Sequence, residues 1–350
     1  SRHTTMPIAN VELGGARVCG FGAPWQAVEA RLAAADGSAL AVASGRANGA
    51  GAFDVVLRDP AGRPVATAPG QTVSARLGSD DVAVPLERVE VTMRWDVAQA
   101  GTGLRASEIS GRGPARRDYY IHVAGARCID AADRNTHAQV QPGLTNAEGT
   151  IRRGAVSLAP FAAGQPIEVA FYTLAGHRFF VRADRTLARI HLRTDRVTGT
   201  SVPLAELALA LQAPGGTDRG AAGLTTGVEG AFDARLRGAD GRPARIEPGD
   251  RLVVTGGQGD EAIDVEDVDF DFSAAGGLFG TAPAGRTVRV TLRLADGRDL
   301  AFERAVDPDG RFSFLPADLP PRRDWELEDV ALVEVVLPTA QGHEIVVGSV

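Results

Sequence analysis

Apolar residues along this chain recur at every second position. Val288-Arg-Val-Thr-Leu-Arg-Leu294 alternates strictly, and Val28-Glu-Ala-Arg-Leu32 does so more loosely. A period of two puts alternate side chains on one buried face and predicts half-buried β-strands. Asp-Gly pairs at 36–37, 240–241, 296–297 and 309–310 close such runs, and Pro-Gly pairs at 69–70 and 248–249 mark further turns. Asp-Gly predicts type I′ hairpins, whose two central residues both need positive φ. Strands spaced by turns every 8–12 residues or so predict a sandwich or barrel. Two segments blur the pattern. Ala205–Gln212 holds good helix formers but occupies a place filled by strands elsewhere, so a strand is expected; Glu326–Val336 reads either way.

The pattern repeats at an offset of 179 residues. Under that shift Gly51–Gly70 falls on Gly230–Gly249 with eleven of twenty positions identical. The same ungapped shift aligns Val11 with Ile190, Val18 with Val197, Gly20 with Gly199, Pro24 with Pro203 and Leu32 with Leu211. A shorter phrase recurs four times: two alternating apolar residues, a turn, a glycine, a proline, then a strand. It opens at Val11, Val89, Ile190 and Val268, with glycines at 20, 111, 199 and 280. Four modules in ABAB order follow: residues 1–87, 88–187, 188–266 and 267–350. The second carries an insertion near 97–107 and an irregular loop at 125–150. Phe53, Phe232 and Phe312, each just past a glycine turn, are expected to plug the small cores.

Composition narrows the chemistry. Glycine (42) and proline (20) supply the turns, while aromatics at 5% leave the cores to Val, Leu, Ala and Phe. There is no lysine, so all 37 cationic side chains are arginine. A P-loop, a Schiff-base lysine and a Lys–Asn isopeptide staple are thereby excluded. A net charge of −7 with interspersed signs argues against a nucleic-acid groove. No apolar run approaches the roughly 20 residues that span a bilayer, and the first residues show no signal-peptide core.

The fourth module carries a family likeness. Gly280-Thr-Ala-Pro opens it, an alternating strand runs to Asp296-Gly297, and Asp309-Gly-Arg-Phe312 leads into another strand. This resembles the bacterial immunoglobulin-like repeats of surface proteins and adhesins, and the internal repeat extends the likeness over nearly the whole chain, most weakly at 97–160. The resemblance implies an all-β fold of tandem immunoglobulin-like sandwiches at the cell surface or outside the cell. The Cys-Trp-Cys hallmark of antibody domains is absent. Fold of this kind leaves function open, since such modules serve as spacers, adhesins, enzyme appendages and fibre subunits.

Reactive residues form no convincing site. The histidines (3, 122, 137, 177, 191 and 343) show no zinc spacing. His177 and His343 both follow a glycine at matching places and read as a repeated turn. Cys128 with Asp130, Asp133 and His137 is the one loop with several reactive types, which keeps an enzyme appendage as a distant alternative. Cys19 and Cys128 could form one bridge between modules or stay two buried thiols. Acids at 260–271 and 307–309 alternate along strand faces and diverge, so a solvated face is favoured over calcium. No metal, cofactor or catalysis is expected.

The ends differ from the repeat. The phrase that follows Gly176–Val181 has no counterpart after Gly342–Val347, while a copy of it opens the chain. An unpaired edge on module four, filled by a second chain's first strand, would make a head-to-tail polymer by strand addition. Ile8, Val11, Leu13, Ile345 and Val347 would form that contact. The leading expectation is an extracellular structural or filament subunit with itself as partner. A glycan- or protein-binding adhesin is second, with Trp25, Tyr119 and Tyr120 as aromatic candidates.

Overall fold

The computed structural model describes residues 7–98, 105–123, 140–156, 167–173, 175–183, 185–257, 259–273, 277–314 and 329–349. Within them the regular elements are strands, and none is an α-helix. The first module holds β1 (Ile8–Glu12), β2 (Arg17–Phe21), β3 (Ala27–Ala33), β4 (Ala39–Arg46), β5 (Ala52–Val56), β6 (Thr72–Leu77) and β7 (Asp80–Pro85). The second holds β8 (Glu90–Ala98), β9 (Arg105–Arg112), β10 (Asp118–Val123), β11 (Val140–Leu144), β12 (Thr150–Val156), β13 (Ile167–Tyr172) and β14 (Arg178–Ala183). The third holds β15 (Leu187–His191), β16 (Arg196–Thr200), β17 (Glu206–Gln212), β18 (Asp218–Thr225), β19 (Ala231–Arg235), β20 (Arg251–Gly256) and β21 (Glu261–Asp264). The fourth holds β22 (Asp269–Ser273), β23 (Gly277–Thr281), β24 (Thr287–Leu294), β25 (Asp299–Ala305), β26 (Arg311–Phe314), β27 (Val330–Pro338) and β28 (Glu344–Ser349). The helix-rich stretch at 205–212 is a strand, and β27 covers the end of the ambiguous one.

All four modules share one topology. Strands one, two and five pair in one sheet; strands four, three, six and seven pair in the other. The two sheets face each other, and burial alternates along their strands, as in β3 and β24. The chain divides into two compact units. One comprises residues 1–185 with the turns 202–205 and 226–230; the other comprises 186–201, 206–225 and 231–350. Within each unit a single hydrophobic core runs through both of its modules.

The repeated glycine has a steric cause. A Cβ on Gly20, Gly111, Gly199 or Gly280 would sit 1.9–2.4 Å from a carbonyl oxygen of the neighbouring first strand. Three of these glycines pair across the sheet with the expected phenylalanines: Gly20 with Phe53, Gly199 with Phe232 and Gly280 with Phe312. The rings lie over the glycines and are 3–7% exposed. Each aromatic thus fills the space its partner leaves empty. In module two Ile151 takes that place opposite Gly111.

Five residues beyond each repeated glycine the backbone turns left-handed. Trp25 (φ 61°), Arg116 (55°), Leu204 (54°) and Gly285 (74°) occupy this position. For a non-glycine residue the strain is about 1–2 kcal/mol, so the turn geometry belongs to the module and not to any one side chain.

The Asp-Gly turns correct the expectation of type I′ hairpins. Gly37, Gly241, Gly297 and Gly310 have positive φ, but the aspartates before them do not. Gly37 N–H donates to the Ala34 carbonyl and Ala34 N–H to the Ser38 carbonyl, a type I turn closed by a glycine bulge. Aspartate serves there as a side-chain acceptor: Asp36 Oδ1 takes the Ser38 N–H at 2.9 Å.

Replacing Phe232 by alanine opens a cavity over Gly199. The expected loss is about 3–5 kcal/mol, read as a lower urea midpoint.

Candidate functional site

Among the described residues, the one parallel strand pair of each unit is a seam between its first and last strands. β1 pairs with β14, matching Asn10, Val11 and Glu12 with Arg178, Phe179 and Phe180. β15 pairs with β28, matching Arg189, Ile190 and His191 with Glu344, Ile345 and Val346. Leu13 N–H donates to the Phe180 carbonyl at 2.7 Å, and Leu192 N–H to the Val346 carbonyl at 2.9 Å. The pairing joins the three-stranded sheet of one module to the four-stranded sheet of the next, giving one seven-stranded sheet per unit. Inward-facing Val11, Phe179, Ile190 and Ile345 are at most 2% exposed.

This seam corrects the open-edge expectation. β1 lies between β14 and β2, and β28 lies between β15 and β27. Ile8 pairs with Phe21, while Val11 and Leu13 meet β14. Ile345 is matched on both sides, to Ile190 and Leu337, and Val347 to Val335. The opening phrase completes the sheet of the module after it, so the strand that module four needs comes from β15. Neither terminal strand is an unpaired edge.

On the outer side of the seam the two units differ. In the first, Asn10, Glu12, Glu168, Arg178 and Arg182 are all buried. Arg178 Nε donates to Asn10 Oδ1 at 2.7 Å, its guanidinium stands 3.9 Å from Glu168 and 5.4 Å above the Phe180 ring, and Arg182 lies 3.9 Å from Glu12. In the second, Arg189 bridges Glu334 and Glu344, and Arg289 also binds Glu344, all half-exposed. Half-exposed pairs of this kind add little stability. The buried set favours one register, because a slip would leave a charge without its partner at a cost of about 3–5 kcal/mol. Alternation alone gave no sign of that burial, since polar residues on an outer sheet face are ordinarily solvated.

Each seam begins at a histidine turn. Thr173 N–H donates to the His177 carbonyl and His177 N–H to Thr173 Oγ1; Thr339 and His343 repeat both bonds. The Ala188 N–H donates to His343 Nδ1 at 3.2 Å, so the ring proton sits on Nε2, 3.6 Å from Glu261. Burial holds His177 below the usual imidazole range; burial, then Arg196 and Arg189, does the same for His191 on β15. His177 and His191 thus take up protons less readily in the folded chain than in the unfolded one, which binds them below about pH 6.5. Stability is therefore full above that pH and falls as the pH drops through it. Melting temperatures between pH 7.5 and 5 are expected to decline, and a His177→Gln, His191→Gln variant to decline less.

Other sequence candidates separate. Cys19 is disulfide-bonded; Cys128, with Asp130, Asp133 and His137, lies outside the described residues. Tyr119 is 5% exposed and packs on Phe171, so it is no surface platform; Tyr120 is half-buried and meets Tyr172 edge-on. Trp25 is 65% exposed. No acidic, histidine or cysteine group converges for a metal among the described residues, and no helix there is long and apolar enough to cross a membrane.

The strand order and the seam define an all-β protein of tandem immunoglobulin-like sandwiches, arranged as two-module units. No protein-family model matches the chain, and no curated protein sequence does. Solved structures with a likeness include a tetra-tandem repeat in the extending region of a large adhesion protein, at 14% identity, 98% of each chain and a TM-score of 0.18. Alpha-2-macroglobulins of E. coli and Salmonella follow, each at 10% identity and a TM-score of 0.17. This chain spans 28% and 29% of those two proteins. At such scores the likenesses carry no argument, and the fold rests on the strand pairing itself.

Proposed function

We propose that this chain is a load-bearing structural segment of a surface protein, with each two-module unit held shut by its seam. The observation that carries the reading is the parallel pairing of the first and last strands of each unit. Tension enters a unit at the start of β1 or β15 and leaves at the end of β14 or β28. Parallel strands drawn apart from opposite ends are sheared along their length. Their hydrogen bonds then share the load and must break together, unlike a hairpin that unzips bond by bond. Buried Val11, Phe179, Ile190 and Ile345 resist the same slip, because sliding by one residue would turn them outward. An extracellular place suits the disulfide at Cys19.

Single-molecule pulling on the full chain tests this. One dominant rupture per two-module unit is expected, with smaller events following it; four equal ruptures, one per module, would sink the reading. Leu192→Pro removes the seam N–H, whereas Leu192→Ala keeps it. The proline variant is expected to lie about 1–3 kcal/mol below the alanine variant, the cost of a buried carbonyl left unsatisfied. It should also rupture at lower force in the second unit alone.

A further inference from the structure

Among the described residues of module four, one exposed aromatic ring is not required by the fold. Phe279 on β23 is 49% exposed. The residue before the repeated glycine is Cys19, Ser110 and Thr198 in the other three modules, so a small side chain suffices there. Phe270, Leu278, Phe312 and Phe314 already fill the inner face of this sheet. Phe279 points the other way, along an outward row with Asp271 on β22 and Ser313 on β26. The next row out is Asp269, Thr281 and Arg311.

Asp271, Phe279 and Ser313, with Thr281 and Arg311 of the next row, floor a groove of about 590 Å³, walled by Arg304, Ala305 and Asp307. The Arg304 guanidinium is fixed 5.1 Å over the Phe314 ring. Asp271, Arg311 and Ser313 make no side-chain hydrogen bond or ion pair among the described residues. A larger groove of about 870 Å³ on module one differs: it has no aromatic ring, and Arg76 is already paired there with Asp81 at 3.1 Å.

We propose that this groove binds a pyranose sugar, stacked by its C–H face on Phe279. The negative face of an aromatic ring attracts the polarised C–H groups on one side of a pyranose. Strands about 4.8 Å apart put Asp271 and Ser313 on either side of the ring. From there a carboxylate accepts from sugar hydroxyls, and a seryl hydroxyl both donates and accepts. Arg311 donates from the next row, and the lining balances Asp271 and Asp307 against Arg304 and Arg311, which leaves the groove near neutral. The volume falls within the range of small-molecule sites, about 300–1,000 Å³. A protein partner fits less well. Phe279 is the single large exposed hydrophobic residue among the described residues of its unit, and a stable protein interface buries about 800 Å² per partner around an apolar centre.

The test is saturation-transfer NMR on the full chain with the methyl pyranosides of glucose, galactose, mannose and N-acetylglucosamine, each alone. Transfer to the ring protons of at least one is expected, with a dissociation constant near millimolar, about −4 kcal/mol. Phe279→Ala should abolish it without moving the melting temperature, because the ring is exposed. Asp271→Asn should weaken it about tenfold, and Phe279→Trp should strengthen it. Silence from all four sugars, or transfer that survives Phe279→Ala, overturns the proposal. So does self-association that Phe279→Ala abolishes, which would assign the ring to a protein contact. The pulling behaviour should be the same in Phe279→Ala, so this inference and the load-bearing reading fail independently.

Discussion

Parallel pairing between strands at opposite ends of a two-module unit is the constraint from which the rest of each unit follows. Without β1, the four-stranded sheet of module two would end at β14 with an exposed row of backbone groups. With it, two sandwiches share one seven-stranded sheet and one continuous core. The second unit repeats the arrangement through β15 and β28. The same pairing explains why the modules alternate as ABAB. An odd module shares its first strand with the next module, and an even module pairs its last strand with it.

The seam also shows how one backbone plan tolerates two kinds of surface. Asn10, Glu12 and Arg178 are buried in the first unit, where the second places Arg189, His191 and Glu344 half in solvent. Backbone hydrogen bonds and inward apolar residues are common to both and carry the fold. The outward residues are free to diverge, toward a specific buried network in one case and a screened ion-pair cluster in the other. Phe279 belongs to this divergent set. Its neighbours across the sheet are fixed by register, while its chemistry is peculiar to module four.

Much of this was legible in the residues themselves. Period-two alternation, the glycine phrase and the 179-residue offset report local sterics and local burial, which each copy must satisfy alone. The phenylalanines at 53, 232 and 312 could be placed in the core because the same glycine recurs with them. The histidine turns were likewise visible as a repeated phrase. Turn type was not, because Asp-Gly serves both a type I′ turn and a glycine bulge, and only the aspartate's φ separates them.

What the sequence by itself determined was the content of each module: alternating strands, their inward faces and the places of the glycine turns between them. Tertiary structure alone decided which module receives the opening strand. Val11 and Ile345 look alike as alternating apolar positions, and nothing local tells a strand whether its partner lies in the preceding sandwich, the following one or another chain. That choice is made between residues more than 150 positions apart, as Ile190 and Ile345 are. It depends on the chain path through two whole modules. The burial of Arg178 and the exposure of Phe279 were hidden for the same reason, since a side chain's surroundings on an outer sheet face come from packing that alternation does not record.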